Sequence, residues 1–406
     1  MFSGFLSPRT STDSQKIAEI LNRGVEDVFI RESLEKKLLS GKQLRIKFGI
    51  DPTGPNIHIG RAVVLRKLRA FQDLGHKIVC IVGDFTAQIG DPSDKLEKRP
   101  MLSSSQIGKN AHTYRAQIGK ILDISKTEFR FNSEWLAKLG FSEIMRLAEM
   151  FSVGQMIERR NFKERYEKGE EISLREFLYP LIQGFDSVVV KADVEIGGFD
   201  QLFNLKAGRV VLKHHGLPEQ DVLTISMLPG TDGRKMSTSW GNVINITDEP
   251  SDMFGKVMSV SDELIEQYFL LCTDVASDEV KMIGDSIKNK TANPRDQKIR
   301  LAREIVTLYY DKEKAARAER EFLKVFTGKG VPDDVVSVEV KKGELLSDVL
   351  LRAGLVSSKT EWRRLAEDGA VFDMDHGQKI TDINEKIKSN TVIKVGKRRF
   401  VKIILT

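Results

Sequence analysis

Apolar residues recur at helical spacing over Glu19–Leu39 (Leu21, Val25, Val28, Phe29, Leu34, Leu38), with Gly41 as a stop. Leu44–Ile50 then alternates as a strand does, and the loop Asp51-Pro52-Thr53-Gly54-Pro55-Asn56 follows it. Helical periodicity returns from Ile57 to Leu74, Gly75 ends it, and Lys77–Val82 has the length of a buried strand. This strand–loop–helix–strand order predicts a βαβ unit, and such units build parallel sheets with sites at the carboxyl ends of their strands. Further strands are predicted at Glu128–Phe131, Val194–Ile196 and Val222–Met227, between long helical stretches. One doubly wound, mainly parallel α/β domain is therefore expected over residues 1–240.

After Pro250 the pattern changes to amphipathic helices alone, at Ile265–Leu271, Glu279–Lys288 and Gln297–Tyr310, closing at Phe326. A helical domain is expected over 241–330, followed by the linker-like Gly328-Lys329-Gly330-Val331-Pro332-Asp333-Asp334. Residues 331–406 then read as a linker and a small α/β module. One helix spans Leu345–Ala353, and Ser358-Lys359-Thr360-Glu361 fits a capping box opening a second that runs through Glu367. Short strands follow at Ala370–Phe372, Val392–Val395 and Phe400–Ile404. Lys359, Arg363 and Arg364 fall on or near one face of the second helix, and Lys397-Arg398-Arg399 adds a basic cluster; either a solvated face or an RNA contact has this pattern.

Composition narrows the class. With 406 residues the chain can bury real cores without disulfides or metals. Its two cysteines, Cys80 and Cys272, lie far apart in apolar contexts, which predicts neither a disulfide framework nor a zinc site and suits a reducing, cytoplasmic setting. No apolar run approaches the length of a membrane span, and Met1–Gln15 lacks the apolar core of a secretory signal. Sixty-four Lys and Arg against 58 Asp and Glu give +6, a balance that permits a polyanionic partner without requiring one.

Two segments carry chemistry. In His58-Ile59-Gly60-Arg61 a histidine opens a helix directly after a strand and its loop. The free N–H groups and positive dipole of a helix start, a glycine that lets a nucleotide approach the backbone, and a histidine donor together make a phosphate cradle. The second segment, Thr231-Asp232-Gly233-Arg234-Lys235-Met236-Ser237-Thr238-Ser239, lies beyond a strand and has the make-up of a mobile phosphate-clamping loop. Tyr179, Gln183 and Asp186 are spaced i, i+4, i+7, so a helix puts them on one face. A core stripe has the same spacing, but buried Gln and Asp are costly unless paired, which favours a polar pocket.

The pair His58-Ile59-Gly60-Arg61 and Lys235-Met236-Ser237-Thr238-Ser239 resembles the two nucleotide-binding signatures of class I aminoacyl-tRNA synthetases. Four more segments narrow the resemblance to the bacterial-type tyrosyl-tRNA synthetases: Gly83–Ser93, Tyr179–Asp186, Gly197–Gln201 and Asn293–Asp296. The C-terminal module resembles the small RNA-binding domain shared with a ribosomal small-subunit protein and pseudouridine synthases. The likeness extends from about Ile17 to Ile404. It implies a Rossmann-like catalytic domain with an insertion at about 125–190, a helical anticodon-binding domain, an RNA-binding module, and a homodimer formed through the insertion.

The resemblance also implies roles. Asp186 accepts the substrate's phenolic hydroxyl; Tyr179, Gln183 and Asp91 hold its ammonium; Thr86 flanks the reacting centre; Gln201 lies near the carboxylate. Asp51, Thr53, His58, Gly60, Arg61, Gly198, Met236 and Ser237 face ATP, Asp200 binds its ribose, and Lys95 and Arg99 reach it from a flexible loop. Thr53, His58, Lys95 and Lys235 would stabilise charge on the phosphates, with Mg²⁺ arriving as part of the ATP complex and no metal-ligating cluster on the chain. tRNA(Tyr) would be gripped by the helical domain and by Lys359, Arg363, Arg364, Lys397, Arg398 and Arg399.

Three departures from the family pattern stand out. Arg61 replaces the usual His or Asn of the first signature, and Thr238 replaces the second lysine of the second, with Arg234 a candidate to compensate. Lys47 occupies the position where some tyrosine enzymes carry a hydroxyl-binding tyrosine, so it is counted among the tyrosine-binding residues while hydroxyl recognition leans harder on Asp186. The alternatives are the tryptophan enzyme of the same fold and an RNA-binding accessory protein with a decayed site.

Overall fold

A computed structural model describes residues 10–91, 103–327, 335–396 and 399–406. Lys95, Arg99, Lys397, Arg398 and the 328–334 linker lie outside the described residues. Two compact units are found, Met1–Asp248 with Val260–Gln297, and Glu249–Ser259 with Lys298–Thr406.

The first unit is organised by a six-stranded sheet: β1 (Val25–Phe29), β2 (Arg45–Ile50), β3 (Lys77–Val82), β4 (Thr127–Phe131), β5 (Val194–Gly198) and β6 (Asp221–Ile225), in the order β1-β6-β5-β2-β3-β4. Every neighbouring pair is parallel except β1–β6. β2 is buried on both faces through Ile46, Lys47, Phe48 and Ile50, as a central parallel strand covered by helices must be, and does not show the one-faced alternation expected from its sequence. Chain order reverses between β2 and β5, where the doubly wound topology predicts a crevice.

The predicted helix over Glu19–Leu39 is broken. Helices form at Ser14–Asn22 and Arg31–Leu39, with the edge strand β1 between them. Gly24 adopts φ +62°, and a Cβ there would stand 2.5 Å from Leu271 Cδ2, so the chain turns tightly against that side chain. Val25, Val28 and Phe29 satisfy the helical period, yet they are β-branched or aromatic residues, and β6 offers them a ladder (Val28 opposite Leu223). Tertiary pairing overrides the local pattern.

In the second unit the Pro250–Met258 and Lys312–Thr327 helices pack together, with the Phe254 and Phe322 rings 5.4 Å apart. Its five-stranded sheet comprises β7 (Ser337–Val340), β8 (Val371–Asp373), β9 (Gln378–Lys379), β10 (Thr391–Val395) and β11 (Arg399–Leu405), ordered β7-β11-β10-β8-β9. The Leu346–Arg352 and Lys359–Glu367 helices close a core of Val349, Leu350, Trp362, Val371, Val395, Val401 and Ile403. Half of the expected capping box forms. Ser358 Oγ accepts from Glu361 N at 3.1 Å, but the Glu361 carboxylate reaches one residue further back, to Ser357 N at 2.7 Å.

Candidate active site

β2 and β5 are paired only at Ile46–Val194 and Lys47–Glu195, and beyond that point the ladder ends. The separating ends, Phe48–Asp51 and Ile196–Gly198, line a cavity of about 240 Å³. The loop after β2 is held rigidly. Asn110 and Gln117, on the Ser104–Ile118 helix, donate to Pro52 O (2.9 Å) and Pro55 O (2.7 Å), and Tyr114 OH donates to Gly54 O at 2.8 Å. Arg61 turns its guanidinium onto the same loop, donating to Thr53 Oγ1 (3.0 Å), Asp51 O and Tyr114 OH. It therefore organises the loop as well as lining the cavity.

His58 caps the Ile59–Asp73 helix, its Nδ1 accepting from Arg61 N at 3.4 Å. Burial, reinforced by the charges of Arg61 and Lys235, holds the imidazole down at about 3, so the ring is neutral near pH 7. With Nδ1 an acceptor, the proton resides on Nε2, which is the donor left for a ligand. A Cβ on Gly60 would lie 3.1 Å from Met236 Sδ and 3.1 Å from His58 Nδ1. The two signature segments thus meet directly, and Ile59 N→Ile244 O (2.8 Å) and Ile246 N→Ile57 O (3.0 Å) fasten them.

At the inner end stands Asp186, from the Leu174–Val190 helix. Trp135 Nε1 donates to Oδ1 at 2.8 Å and Asn132 Nδ2 to Oδ2 at 3.3 Å, leaving carboxylate lone pairs over. Burial pushes this carboxyl up to about 7, against the opposing influence of the Lys47 charge and the Trp135 and Asn132 hydrogen bonds. Asn132 also donates to Thr86 Oγ1 (3.1 Å), Thr86 donates to Asp51 Oδ1 (2.7 Å), and Tyr179 OH donates to Asp51 Oδ2 (2.9 Å). Burial, with Asp91 nearby, raises Asp51 to about 6, the Thr86 and Tyr179 hydrogen bonds opposing it. A Cβ on Gly83 would come within 2.0 Å of Asp51 Oδ1, so glycine is what allows that carboxylate its seat.

Asp91 accepts from Gln201 Nε2 at 2.6 Å and Asn204 Nδ2 at 3.3 Å, and Arg159 Nη2 in turn donates to Asn204 Oδ1 at 3.0 Å. Lys47 is placed differently from expectation. It is fully buried behind the cavity wall, not in it, where it meets Glu195. A side chain with no exposed surface and its ammonium paired inward does not reach a ligand in the cavity.

The outer end carries Lys235, whose Nζ lies 3.5 Å from Asp200 Oδ2. Met236 and Gly198 line the cavity beside it, whereas Ser237 is turned to the buried Asn242, its N donating to Oδ1 at 2.8 Å. Asn242 Nδ2 donates to Asp232 Oδ1 (2.8 Å) and Lys235 O (3.0 Å), so one amide fixes both flanks of the loop. Arg234 is tied to Asp232 at 2.6 Å and stacks 4.9 Å from the Trp240 ring. In this arrangement the guanidinium faces its own loop. Asn132, Trp135, Glu195, Asn204 and Asn242 were not singled out from sequence; Asn132 and Trp135 follow the carboxyl end of β4, the one signal that could have found them.

In the small module Lys359 pairs with Asp348 at 2.9 Å, Arg363 and Arg364 are exposed, and Arg399 is bound to Glu361 (2.9 Å) and to Leu355 O. Among the described residues no helix is long and apolar enough to cross a membrane.

Residues 39–327 match the family model of the class I tRNA synthetases (W and Y). The chain is 47% identical over 401 residues to the tyrosine–tRNA ligase of Carboxydothermus hydrogenoformans, covering 95% of this chain and 97% of that one. It is 45% identical over 388 residues to that of Thermotoga maritima, with coverage of 95% and 96%. In fold it is similar to a C-terminally truncated mitochondrial tyrosyl-tRNA synthetase of Aspergillus nidulans (TM-score 0.63, 22% identity, 77% of this chain and 94% of that one). A tyrosyl-tRNA synthetase from Archaeoglobus fulgidus, solved with L-tyrosine, gives TM-score 0.60 at 20% identity, covering 75% and 99%. A switch-point cavity with both nucleotide signatures at its mouth marks a class I tRNA synthetase, and the chain belongs to that family's tryptophan–tyrosine group and, within it, to the tyrosine–tRNA ligases. As such it is an aminoacyl-tRNA ligase and uses ATP.

Proposed function

We propose that the cavity performs tyrosylation of tRNA(Tyr) in two steps, with Asp186 reading the amino acid and Lys235 and His58 stabilising the phosphates. The tyrosine carboxylate attacks the α-phosphorus of ATP in line, forming tyrosyl-adenylate and expelling pyrophosphate. A terminal ribose hydroxyl of the tRNA then attacks the acyl carbon and AMP leaves. The carboxylate is already a nucleophile at neutral pH, so the first step needs positioning and charge stabilisation and no general base. Tyr179, Gln183 and Asp91 receive the ammonium, with Gln201 near the carboxylate and Thr86 flanking it. Thr53, neutral His58 with its Nε2–H, Lys95 and Lys235 act on the triphosphate, and Asp51, Gly60, Arg61, Arg99, Gly198, Asp200, Met236 and Ser237 complete the ATP site. Mg²⁺ enters with the triphosphate it accompanies.

The observation that carries this reading is the inner carboxylate. Asp186 is buried, receives two N–H donors and keeps acceptor capacity toward the cavity, which suits a hydroxyl on an aromatic ring. ATP–pyrophosphate exchange should run with tyrosine and not with tryptophan or phenylalanine; exchange driven equally by phenylalanine would refute it.

For tRNA, the exposed Arg363 and Arg364, with Lys359, Lys397 and Arg398, offer phosphate contacts, while Arg399 serves mainly to hold Glu361. The helical middle is the proposed anticodon reader. A homodimer formed through the 125–190 insertion is supported by its exposed apolar side chains, Phe141 (77%), Met145, Val153 and Leu174 (79%). A cytoplasmic, reducing setting suits the two buried free thiols.

A further inference from the structure

Lys47 and Glu195 are opposite each other in the last rung of the β2–β5 ladder before the strands separate. Their side chains are 0% and 1% exposed and 2.8 Å apart. The Lys47 ammonium spends all three protons on Glu195 Oε1, Gln183 O and Ser187 Oγ, each at 2.8 Å. The two helix partners bracket the turn that carries Gln183 and Asp186 into the cavity. Glu195 Oε1 also accepts from Gln183 Nε2 at 3.2 Å, while its Oε2 accepts from Ser187 Oγ at 3.3 Å and from Gln220 Nε2. A carboxylate is acceptor-only, so it commits the NH₂ end of that amide to the sheet and leaves the carbonyl end for the cavity.

We propose that the buried Lys47–Glu195 pair is a positioning device for amino-acid selection, orienting the Gln183 amide so that an acceptor faces the substrate ammonium and fixing the helical turn that carries Asp186. Glu195, only 1% exposed where it meets the cavity wall, acts through Gln183; Lys47 neutralises Glu195 and clamps the backbone. The inference rests on the reading of Gln183 as an ammonium ligand. A buried ion pair is a poor source of stability, since matched apolar residues in its place are often neutral or stabilising. Retaining one directly under a recognition turn is explained by the geometry it imposes.

The test uses the full-length enzyme and the double variant Lys47→Met/Glu195→Met, which keeps the packing and removes both charges. Gln183→Met serves as the control for the underlying reading. Melting temperature, KM for tyrosine, KM for ATP and kcat are measured in pyrophosphate exchange. The double variant should melt near wild type and raise the tyrosine KM about tenfold or more, the scale of one misplaced charge-assisted hydrogen bond. The ATP KM should hold. Glu195→Gln, which retains the size but can present either amide end to Gln183, should give an intermediate rise. If Gln183→Met raises the tyrosine KM and the double variant does not, the positioning proposal is overturned while the reading of Gln183 stands. If Gln183→Met leaves the tyrosine KM unchanged, that reading fails and the inference fails with it. Should the double variant not fold, Glu195→Gln alone decides: an unchanged tyrosine KM overturns the proposal.

Discussion

At the inner end of the cavity, Asp186, Asn132, Thr86, Tyr179 and Asp51 hold one another, and Trp135 adds a donor from behind. At the outer end, the Lys235 loop is held largely by residues close in sequence, Asp232, Arg234, Ser237, Trp240 and Asn242. The first arrangement is stitched between separate elements of the sheet unit and cannot move without disturbing several of them. The second is held mainly within its own stretch of chain, with the Lys235–Asp200 pair and the seat of Met236 beside Gly60 as its ties outward. A rigid inner end is what selection between similar amino acids requires, whereas an outer end that improves its contacts as charge develops lowers the barrier.

The largest effect should come from breaking the inner end. On the proposed reading, Asp186→Ala removes the acceptor whose desolvation penalises a substrate without a hydroxyl. Sites of this kind discriminate by about 10⁴–10⁵, a range for which tyrosine activation is itself the standard example and which is taken over here. Competitive exchange with tyrosine and phenylalanine should show most of that preference gone; a retained preference would move recognition elsewhere.

Next in size is the outer end. Lys235→Ala should slow adenylate formation by about 2–4 kcal/mol of barrier, as loss of one preorganised electrostatic donor does, while equilibrium tyrosine binding stays put. Arg234→Ala should do far less, because its guanidinium faces Asp232 and Trp240. Rapid-quench rates beside tyrosine titrations separate the two ends; a Lys235 variant that loses only tyrosine affinity would erase the distinction.

A smaller effect is expected from ending the chain after Thr327. The small module has its own core, so removing it leaves the sheet unit whole. Charging should fall by about tenfold or more with a shallower salt dependence, as phosphate contacts disappear. Pyrophosphate exchange should persist, and its loss would contradict the separation of catalysis from tRNA grip.

The smallest effect concerns stability. Asp186 is raised from its ordinary 3.8 to about 7 in the fold. Between those values the folded protein keeps a proton that the unfolded chain releases. Its contribution is therefore fully present below 3.8, declines as pH rises, and is lost above about 7. Asp186→Asn cannot ionise, so its melting temperature should gain on wild type by about 2 °C or more between about pH 5 and about pH 8. A gap that narrows over the same window would mean the carboxyl is not held up.

What the sequence revealed follows from where each signal lies. The signatures at His58 and Lys235 are contiguous runs with unusual residue types, and β3 is a short apolar run between Gly75 and Gly83. β1 was missed because Val25, Val28 and Phe29 fit the helical period, and only β6, nearly 200 positions on, pulls them into a strand. Asn132 and Trp135 escaped because each is unremarkable alone and gains its role by donating to Asp186, more than 50 positions away. Lys47 was counted as tyrosine-binding from the family position it occupies, and only its distant counter-ion Glu195 shows that its ammonium is turned inward. Sequence proximity identified the outer end, and long-range pairing concealed half of the inner one.

The pairing of β1 with β6 also bears on how the protein is made. Strands β2, β3 and β4 are neighbours both along the chain and in the sheet, so that half can assemble as soon as residue 131 is available. β1 has left the ribosome long before, yet its ladder to Val222–Ile225 cannot begin until the chain has grown through β6. Until then Val25–Phe29 is an unpaired strand on a nascent chain, its Val25, Val28 and Phe29 side chains open to wrong partners or to a chaperone. Of the strands in this sheet, the earliest in the chain is the last that can be seated.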